Sequence, residues 1–256
     1  MIDMAMRSSN VGGDGSFVFT GTEELLCADL MHNYNRGITA VFKNGWLLAS
    51  SGERVLDFGA GIGSITAAFL VETGVKPVAL EIDKALSDIL RSRGFTVIHA
   101  LTELPLATLD LVFSSNVLEH IENDVATIQQ VFSVLRPGGV FALYVPAFPV
   151  LYTAHDKRVG HVRRYTRKEL TSKLAAEGFV VFESSYRDCI GFFATLAYKL
   201  FWGGKGQSPS LRQLRAYDRM YVVSRLLDHL GARHLFGKNL AVIARKPDAQ
   251  ASELSG

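Results

Sequence analysis

Apolar and polar positions alternate along the chain in blocks that switch between a short β-rich period and a helical one. Residues 24–49 carry a helical pattern that stops near Ser51-Gly52. Residues 54–58 (RVLDF) are a short apolar run bounded by turn residues, which predicts a strand, and residues 64–72 predict a helix behind it. The same alternation repeats. Strands are predicted at 77–81 (PVALE), 95–99, 109–114 (LDLVFS) and 140–145, and helices at 84–93, ended by Gly94, and at 124–135, ended by Pro137-Gly138-Gly139. Strands separated by single helices at this spacing predict parallel βαβ units, hence a doubly wound sheet with helices on both faces.

The tail is less regular. Thr166 and Glu169 have the spacing of a capping box, opening a helix that Gly178 ends, and residues 179–184 (FVVFES) follow as a sixth strand. Two helices at about 190–202 and 211–230 precede a last strand at 240–245. So long an excursion between two strands suits a lid or a partner surface. Its first helix, IGFFATLAYKLFW, is shorter than the roughly 20 residues a membrane span requires. It reads either as a buried helix or as an interfacial one on a peripheral protein. Phe192, Phe193, Tyr198, Phe201 and Trp202 would serve a core or an apolar wall, and Arg212, Arg215, Asp218 and Arg219 fit a solvated helix face.

Composition narrows the class. A chain of 256 residues, 48% hydrophobic, has enough apolar material for one large α/β domain. The boundaries expected are a disordered lead-in over 1–23, a domain over 24–246 with a helical cap (24–50) and a helical insertion (189–238), and a flexible tail over 247–256. A formal net charge of +2 excludes the overall basicity of a dedicated nucleic-acid binder. Two cysteines, Cys27 and Cys189, cannot build a disulfide framework and fit a reducing compartment; with no apolar leader in MIDMAMRSSNVGGDGS, a cytoplasmic protein is expected.

Candidate chemistry begins at VLDFGAGIGSITAAF, residues 55–69. Its glycines let the backbone turn tightly and expose N–H groups to a ligand at a helix N-terminus. Glu81 ends the next strand 18 residues after Gly63, placed to accept hydrogen bonds from two ribose hydroxyls, which implies an adenosine-containing ligand. A dinucleotide fingerprint would have Gly or Ala where Ser64 stands. The loop also holds Asp57, an acid unsuited to a pyrophosphate and suited to a cationic amino-acid end.

On these residues, with LDLVFSSNVLEHI (109–121) and LRPGGVFALYVP (135–146) in the same order, the chain resembles the class I S-adenosylmethionine-dependent methyltransferases over about residues 33–246. The resemblance implies a Rossmann-like sheet, mostly parallel with an antiparallel last strand. It also implies S-adenosylmethionine as cofactor, held by Asp57, Gly59, Ala60, Gly61, Gly63, Glu81, Ile82, Asn116 and Val117. Many relatives have an acid after the third strand for the adenine. HALTEL stands there instead, leaving Leu101 and Thr102 to frame the ring. HNYNR (32–36), with Tyr34, resembles a cap that closes on the cofactor.

The loop VPAFPVLYTAHDKRVGHVRRYT (145–166) resembles the GHxRRY signature of a methyltransferase subgroup associated with bacterial envelope glycan and natural-product pathways. Three readings of it stand side by side. His155 or His161 is a general base, with Arg163 or Arg164 holding an acidic acceptor and Tyr152, Asp156 and Tyr165 shaping the site. Alternatively His155, Asp156 and His161 ligate a divalent metal, although their spacing matches no standard site and no metal is assigned. In the third, Asp156 pairs with an arginine to fix the loop, and Arg167 and Lys168 are solvated. His120 is either catalytic or a structural histidine, and Glu119 reads as structural. The function expected is methyl transfer to oxygen or nitrogen of a small-molecule or lipid- or sugar-linked acceptor. The alternatives are a non-catalytic cofactor-binding partner and, least favoured because no NPPY-like tetrad follows the fourth strand, a nucleic-acid methyltransferase. Peripheral membrane contact is not favoured.

Overall fold

The computed structural model describes residues 29–202 and 210–248. The lead-in expected over 1–23, residues 24–28 of the expected first helix, Cys27 and most of the expected tail lie outside them; within them the chain turns at Leu30 and the helix expected over 24–49 starts only at His32.

Seven strands form one sheet in the order β3-β2-β1-β4-β5-β7-β6. β1 (Val55–Phe58), β2 (Val78–Leu80), β3 (Val97–Ile98), β4 (Leu109–Ser115) and β5 (Leu135–Pro146) pair in parallel. β7 (Asn239–Arg245) lies antiparallel between β5 and β6 (Val180–Arg187). The expected antiparallel last strand is present, and the strand order reverses between β1 and β4, opening a crevice at their carboxyl ends.

Alternation along β4 and β5 divides the core between two faces. Phe113 and Tyr144 point to α1 (His32–Leu48) and α2 (Ser64–Thr73), where Phe42 and Phe69 stack on Phe113 at 4.8 and 4.9 Å between ring centroids. Val112 and Phe141 point the other way, packing with Ile128 of α4 (Asp124–Val134) and Leu170 and Leu174 of α6 (Arg167–Ala176). Each such fully buried side chain stabilises the fold by about 1.5–3 kcal/mol, so the sheet is sandwiched as the alternating pattern requires. α3 (Lys84–Ser92) is capped at its N-terminus by Asp83, whose carboxylate accepts from the Leu86 N–H at 3.0 Å.

Three expectations change. The Pro137-Gly138-Gly139 stretch is not a loop between helix and strand. β5 starts directly at Leu135, paired with Leu109, and the stretch forms an irregularity inside the strand before pairing resumes at Leu111 and Val140. Second, the capping box at Thr166 is half made. The Thr166 hydroxyl accepts from the Glu169 N–H, but the Glu169 carboxylate turns to Lys173 at 3.2 Å. Third, the excursion helices α7 (Cys189–Trp202) and α8 (Leu211–His229) are only partly core. Cys189 and Tyr221 are buried, whereas Phe193, Leu200 and Phe201 are 56%, 70% and 77% exposed, which excludes the fully buried reading of α7. Among the described residues no helix is long and apolar enough to cross a membrane.

Asp218 also departs from a solvated face. It is buried and accepts from the Asn33 and Tyr34 N–H groups at 3.3 and 2.9 Å, capping α1 from a helix 185 positions later in the chain. Arg212, Arg215 and Arg219 are exposed, as expected.

Candidate functional site

The glycine loop crosses the crevice at the carboxyl end of β1. Gly59, Gly61 and Gly63 have φ of +79°, +57° and +85°, a region costly for any residue with a Cβ. Space excludes a side chain as well. A Cβ on Gly59 would lie 2.3 Å from Val117 Cγ2, and one on Gly63 2.7 Å from Leu90 Cδ2. The Gly59 and Ala60 N–H groups both donate to the Leu80 carbonyl at 2.9 and 3.0 Å, tying the loop to β2.

Glu81, at the end of β2, is 7% exposed. It accepts from the Gly61 N–H at 2.8 Å and the Asp83 N–H at 2.9 Å. A carboxylate offers about four lone-pair sites, so not all are taken by these backbone donors. Burial raises its pKa, and the backbone N–H groups work against that rise. Asp57 is buried beneath the loop and accepts from the Thr66 hydroxyl at 2.6 Å; burial pushes its pKa up to about 7, with the Thr66 bond offsetting part. Thr66 thus takes one lone pair of the carboxylate that the sequence expects to meet a cation.

Around this core, Ile82 is half-buried, Leu101 is buried and Thr102 is exposed. The Glu103 carboxylate does not project toward a base. It accepts from the His99 and Ala100 N–H groups at 2.7 and 2.8 Å, closing the 3-10 turn 101–103. After β4, Asn116 holds φ +54° and donates its N–H to the Tyr144 carbonyl at 2.8 Å, while Val117 packs on Gly59. Tyr34 of α1 meets Tyr144 edge-on at 6.3 Å, and its hydroxyl accepts from Asn239 Nδ2 at 3.0 Å. The cap therefore reaches the same sheet edge. Asp29 adds a second tether by accepting from the Ser64 hydroxyl at the N-terminus of α2.

Residues 30–184 match the methyltransferase domain family. The chain belongs to that family.

The methyltransferase domain is 31% identical over 150 residues to a probable S-adenosylmethionine-dependent methyltransferase of Mycolicibacterium smegmatis, covering 56% of each chain. It is 33% identical over 123 residues to an uncharacterized methyltransferase of Mycobacterium tuberculosis, covering 46% of this chain and 47% of the other. The chain thus spans about half the length of the curated relatives it matches. Among solved structures, a SAM-dependent methyltransferase from Archaeoglobus fulgidus superposes with a TM-score of 0.55 at 21% identity, over 83% of this chain and 94% of that one. The Burkholderia thailandensis 1,6-didemethyltoxoflavin-N1-methyltransferase gives 0.53 at 18%, over 90% and 84%. At such identities the likeness is one of fold.

The loop after β5 supplies the second half of the methyltransferase domain's crevice. It contains the short helix α5 (Ala154–Arg158) and is pinned to the 3-10 turn 118–120 after β4. The Val162 N–H donates to the Glu119 carbonyl at 2.9 Å, and the Tyr165 hydroxyl to Asp124 at 2.8 Å and the Leu118 carbonyl at 3.2 Å. At its centre Asp156 is fully buried. Arg164 meets it with both Nε and Nη2, at 2.8 and 3.1 Å, and His161 Nδ1 lies 2.8 Å from Oδ1. Burial works to raise the Asp156 pKa, but the bonds from His161 and Arg164 outweigh it and hold the carboxyl well below its usual range. An ionised carboxylate only accepts, so His161 Nδ1 carries the proton and a neutral His161 has its lone pair on Nε2.

These distances correct several acceptor assignments. Asp156 and Arg164 are buried and bonded to each other, and Tyr165 is buried and bonded to Asp124 and Leu118, so no acceptor reaches them in this arrangement. Arg163 turns to the start of α4, with Nη1 2.7 Å from Asp124 and Nη2 2.7 Å from the Glu122 carbonyl. Tyr152 is half-buried and donates to the His161 carbonyl at 2.6 Å. Arg167 is not solvated: its guanidinium stacks on the Tyr186 ring at 4.6 Å and donates to the Arg233 carbonyl. Lys168 is exposed, as expected. His155 is half-buried on α5.

What the structure does bring together is His120, His161 and Glu119. The imidazole centroids are 4.7 Å apart, and His161 Nε2 lies 3.7 Å from Glu119 Oε1. Burial lowers the His120 pKa to about 3, so it is neutral, and burial raises Glu119 to about 7 against the field of His161. The sequence marked Glu119 as structural; only the fold reveals that a fully buried carboxylate ends beside two histidines. Asp188 is a second buried acid that sequence reasoning missed. It accepts from Tyr217 and from Ser224, near Tyr34, Tyr144 and Tyr221.

Proposed function

We propose that the protein is an S-adenosylmethionine-dependent methyltransferase acting at oxygen or nitrogen of a small-molecule or lipid- or sugar-linked acceptor. The observation that carries the reading is Glu81, buried against the Gly61 N–H at the end of β2 with lone pairs left for a diol. The glycine loop beside it, whose Gly59 and Gly63 admit no Cβ, fits a nucleoside methionine lying across the crevice. Asp57, Gly59, Ala60, Gly61, Gly63, Glu81, Ile82, Leu101, Thr102, Asn116, Val117 and Tyr34 form the proposed cofactor set. When bound, the cofactor supplies a methyl group already activated by positive charge on sulfur.

The chain's own residues then orient and deprotonate. Alignment supplies much of the acceleration of such an in-line displacement, and α1, with Tyr34, excludes water from the crevice. On the acceptor side His161 Nε2 is the group offered to the acceptor. Asp156 positions its ring, and Arg164 positions Asp156. His120 flanks it at 4.7 Å between ring centroids, His155 on α5 is a second proposed base, and Tyr152 steadies the loop through the His161 carbonyl. The resemblance of this loop to the GHxRRY subgroup supports a glycan- or natural-product-type acceptor, and the exposed apolar side chains of α7 suit one bearing a lipid.

Incubation with methyl-labelled S-adenosylmethionine and fractionated bacterial extracts should yield a labelled small molecule or glycolipid; label in nucleic acid, or none in any fraction, overturns the reading. Glu81→Ala should weaken S-adenosylhomocysteine binding about ten- to a hundredfold by calorimetry, the scale of losing two charge-assisted hydrogen bonds. An unchanged affinity removes the ribose assignment.

A further inference from the structure

We propose that Glu119, His120 and His161 form a binding site for one divalent first-row transition-metal ion, facing the acceptor side of the crevice. Each offers one ligand atom, and the three atoms lie within 4.8 Å of one another. Two imidazoles and a carboxylate are a borderline donor set suited to Zn²⁺, Co²⁺ or Fe²⁺, and they leave coordination positions open for water or an acceptor oxygen.

The second observation is Glu119 itself. It is 0% exposed, and neither carboxylate oxygen has a hydrogen-bond partner. Buried carboxylates are otherwise paired or hydrogen-bonded, because an unpaired one costs several kcal/mol. The other acids in the loop obey that rule. Asp156 has Arg164 and His161, and Asp124 has Arg163, Lys173 and Tyr165. Arg163, Arg164 and Lys173 are thus committed to those acids, and the groups facing Glu119 are the two rings, with His161 Nε2 3.7 Å from Oε1, so that a cation seated between carboxylate and rings would satisfy it. Drawing the ligand atoms to bond lengths of about 2.0–2.2 Å needs inward movement of about an ångström, within the reach of side-chain rotation.

The surroundings match what a metal-bound histidine requires. Asp156 holds His161 Nδ1–H at 2.8 Å and fixes Nε2 as the free donor, while Arg164 and the Thr153 N–H and hydroxyl hold Asp156 in turn. His120 is hydrogen-bonded to the Gly160 backbone, and Gly160 sits at φ +85° beside His161, so one tight turn sets both rings. The ligands come from the turn after β4 and the loop after β5, three residues beyond Asn116. This site replaces the His155, Asp156 and His161 set suggested by sequence. Asp156 is a positioning residue spent on Arg164, and His155 is no member of the cluster. The role inferred for the ion, orienting a hydroxyl-bearing acceptor in place of His161 Nε2, whose single lone pair the metal would take, rests on the transferase reading; its binding does not.

The test uses the full chain stripped with a chelator. Zn²⁺ is titrated by calorimetry and Co²⁺ by visible absorption, and S-adenosylhomocysteine binding is measured separately. One equivalent should bind with a Kd tighter than about 10 µM, giving ligand-field bands with Co²⁺. Glu119→Gln and His161→Ala should each weaken binding at least about a hundredfold, and Asp156→Asn about ten- to a hundredfold. His229→Ala, exposed on α8, should leave it unchanged. Absence of uptake by folded wild-type protein at millimolar Zn²⁺, or uptake surviving both Glu119→Gln and His161→Ala, overturns the proposal. Should those variants fail to fold, long-range ¹⁵N spectra of the wild type decide: Zn²⁺ must shift the ring nitrogens of His120 and His161, and shifts confined to other histidines overturn it. Metal uptake without S-adenosylhomocysteine binding would sink the transferase reading and leave the metal site standing; the converse would do the reverse.

Discussion

The two halves of the crevice solve the problem of buried acids in opposite ways. On the β1–β2 side, Glu81 and Asp57 are satisfied by backbone N–H groups and one threonine hydroxyl, with no basic side chain among their hydrogen-bond donors. Both carboxyls are raised, mainly by burial. On the β4–β5 side, Asp156 and Asp124 are held by Arg164, His161, Arg163 and Lys173, and both are lowered. A site built from backbone keeps its charge balance open for a cationic ligand. A site built from ion pairs has used its charges to hold a long loop in one shape. Glu119 stands between the two and follows neither.

The largest expected effect breaks the ion-paired half. Arg164→Met leaves Asp156 ionised, buried and short of its main partner, and should cost about 3–5 kcal/mol of unfolding free energy in urea melts. A loss below about 1 kcal/mol would mean that His161 and Thr153 alone can carry Asp156. Next, on the backbone-built half, Gly59→Ala combines a disfavoured φ with a Cβ driven into Val117 and should cost about 2–4 kcal/mol. Adding Val117→Ala should recover only the steric part.

A smaller effect carries the opposite sign. With its pKa raised from 3.8 to about 7, Asp57 stays protonated in the folded state while it ionises in the unfolded chain, so its contribution to stability falls as pH rises between those values and is flat above. Asp57→Asn should therefore stabilise the ligand-free protein at pH 8 by about 1–3 kcal/mol and change it little at pH 4, while weakening S-adenosylhomocysteine binding. Equal stabilisation at both pH values would show that Asp57 is not the titrating group. Smallest is Arg167→Ala, which removes the stack on Tyr186 and should cost about 0.5–1 kcal/mol.

The same contrast explains what the sequence revealed. The glycine loop, the acid after β2 and the strand–helix alternation from β1 to α4 are local features, written in consecutive residues, and the structure forms them within a residue or two of the expected bounds, whereas β6 runs three residues past its expected end and α1 starts only at His32. The β5 start was misplaced because Pro137-Gly138-Gly139 reads as a helix stop, yet pairing of Leu135 with Leu109 across the sheet outweighs local preference. The acceptor side depends on which of several nearby basic groups faces which acid. Sequence offers Arg163, Arg164, Arg167 and three histidines within reach of Asp156. It cannot show that Arg163 turns to Asp124, that Arg167 lies on Tyr186, or that neither Glu119 carboxylate oxygen has a hydrogen-bond partner. Even Asp218, read as one polar residue on a charged helix, has its role set by a helix at the other end of the fold.

That cap makes the order of chain synthesis matter. The first turn of α1 is completed by a carboxylate 184 residues downstream of Tyr34, so this helix cannot acquire its native anchorage until α8 has been made and docked. Most of the sheet can pair earlier, because its parallel strands lie closer together in the chain. Amide exchange at Asn33 and Tyr34 should then report on α8 rather than on α1, opening whenever the C-terminal helix detaches, even while the glycine loop remains in place.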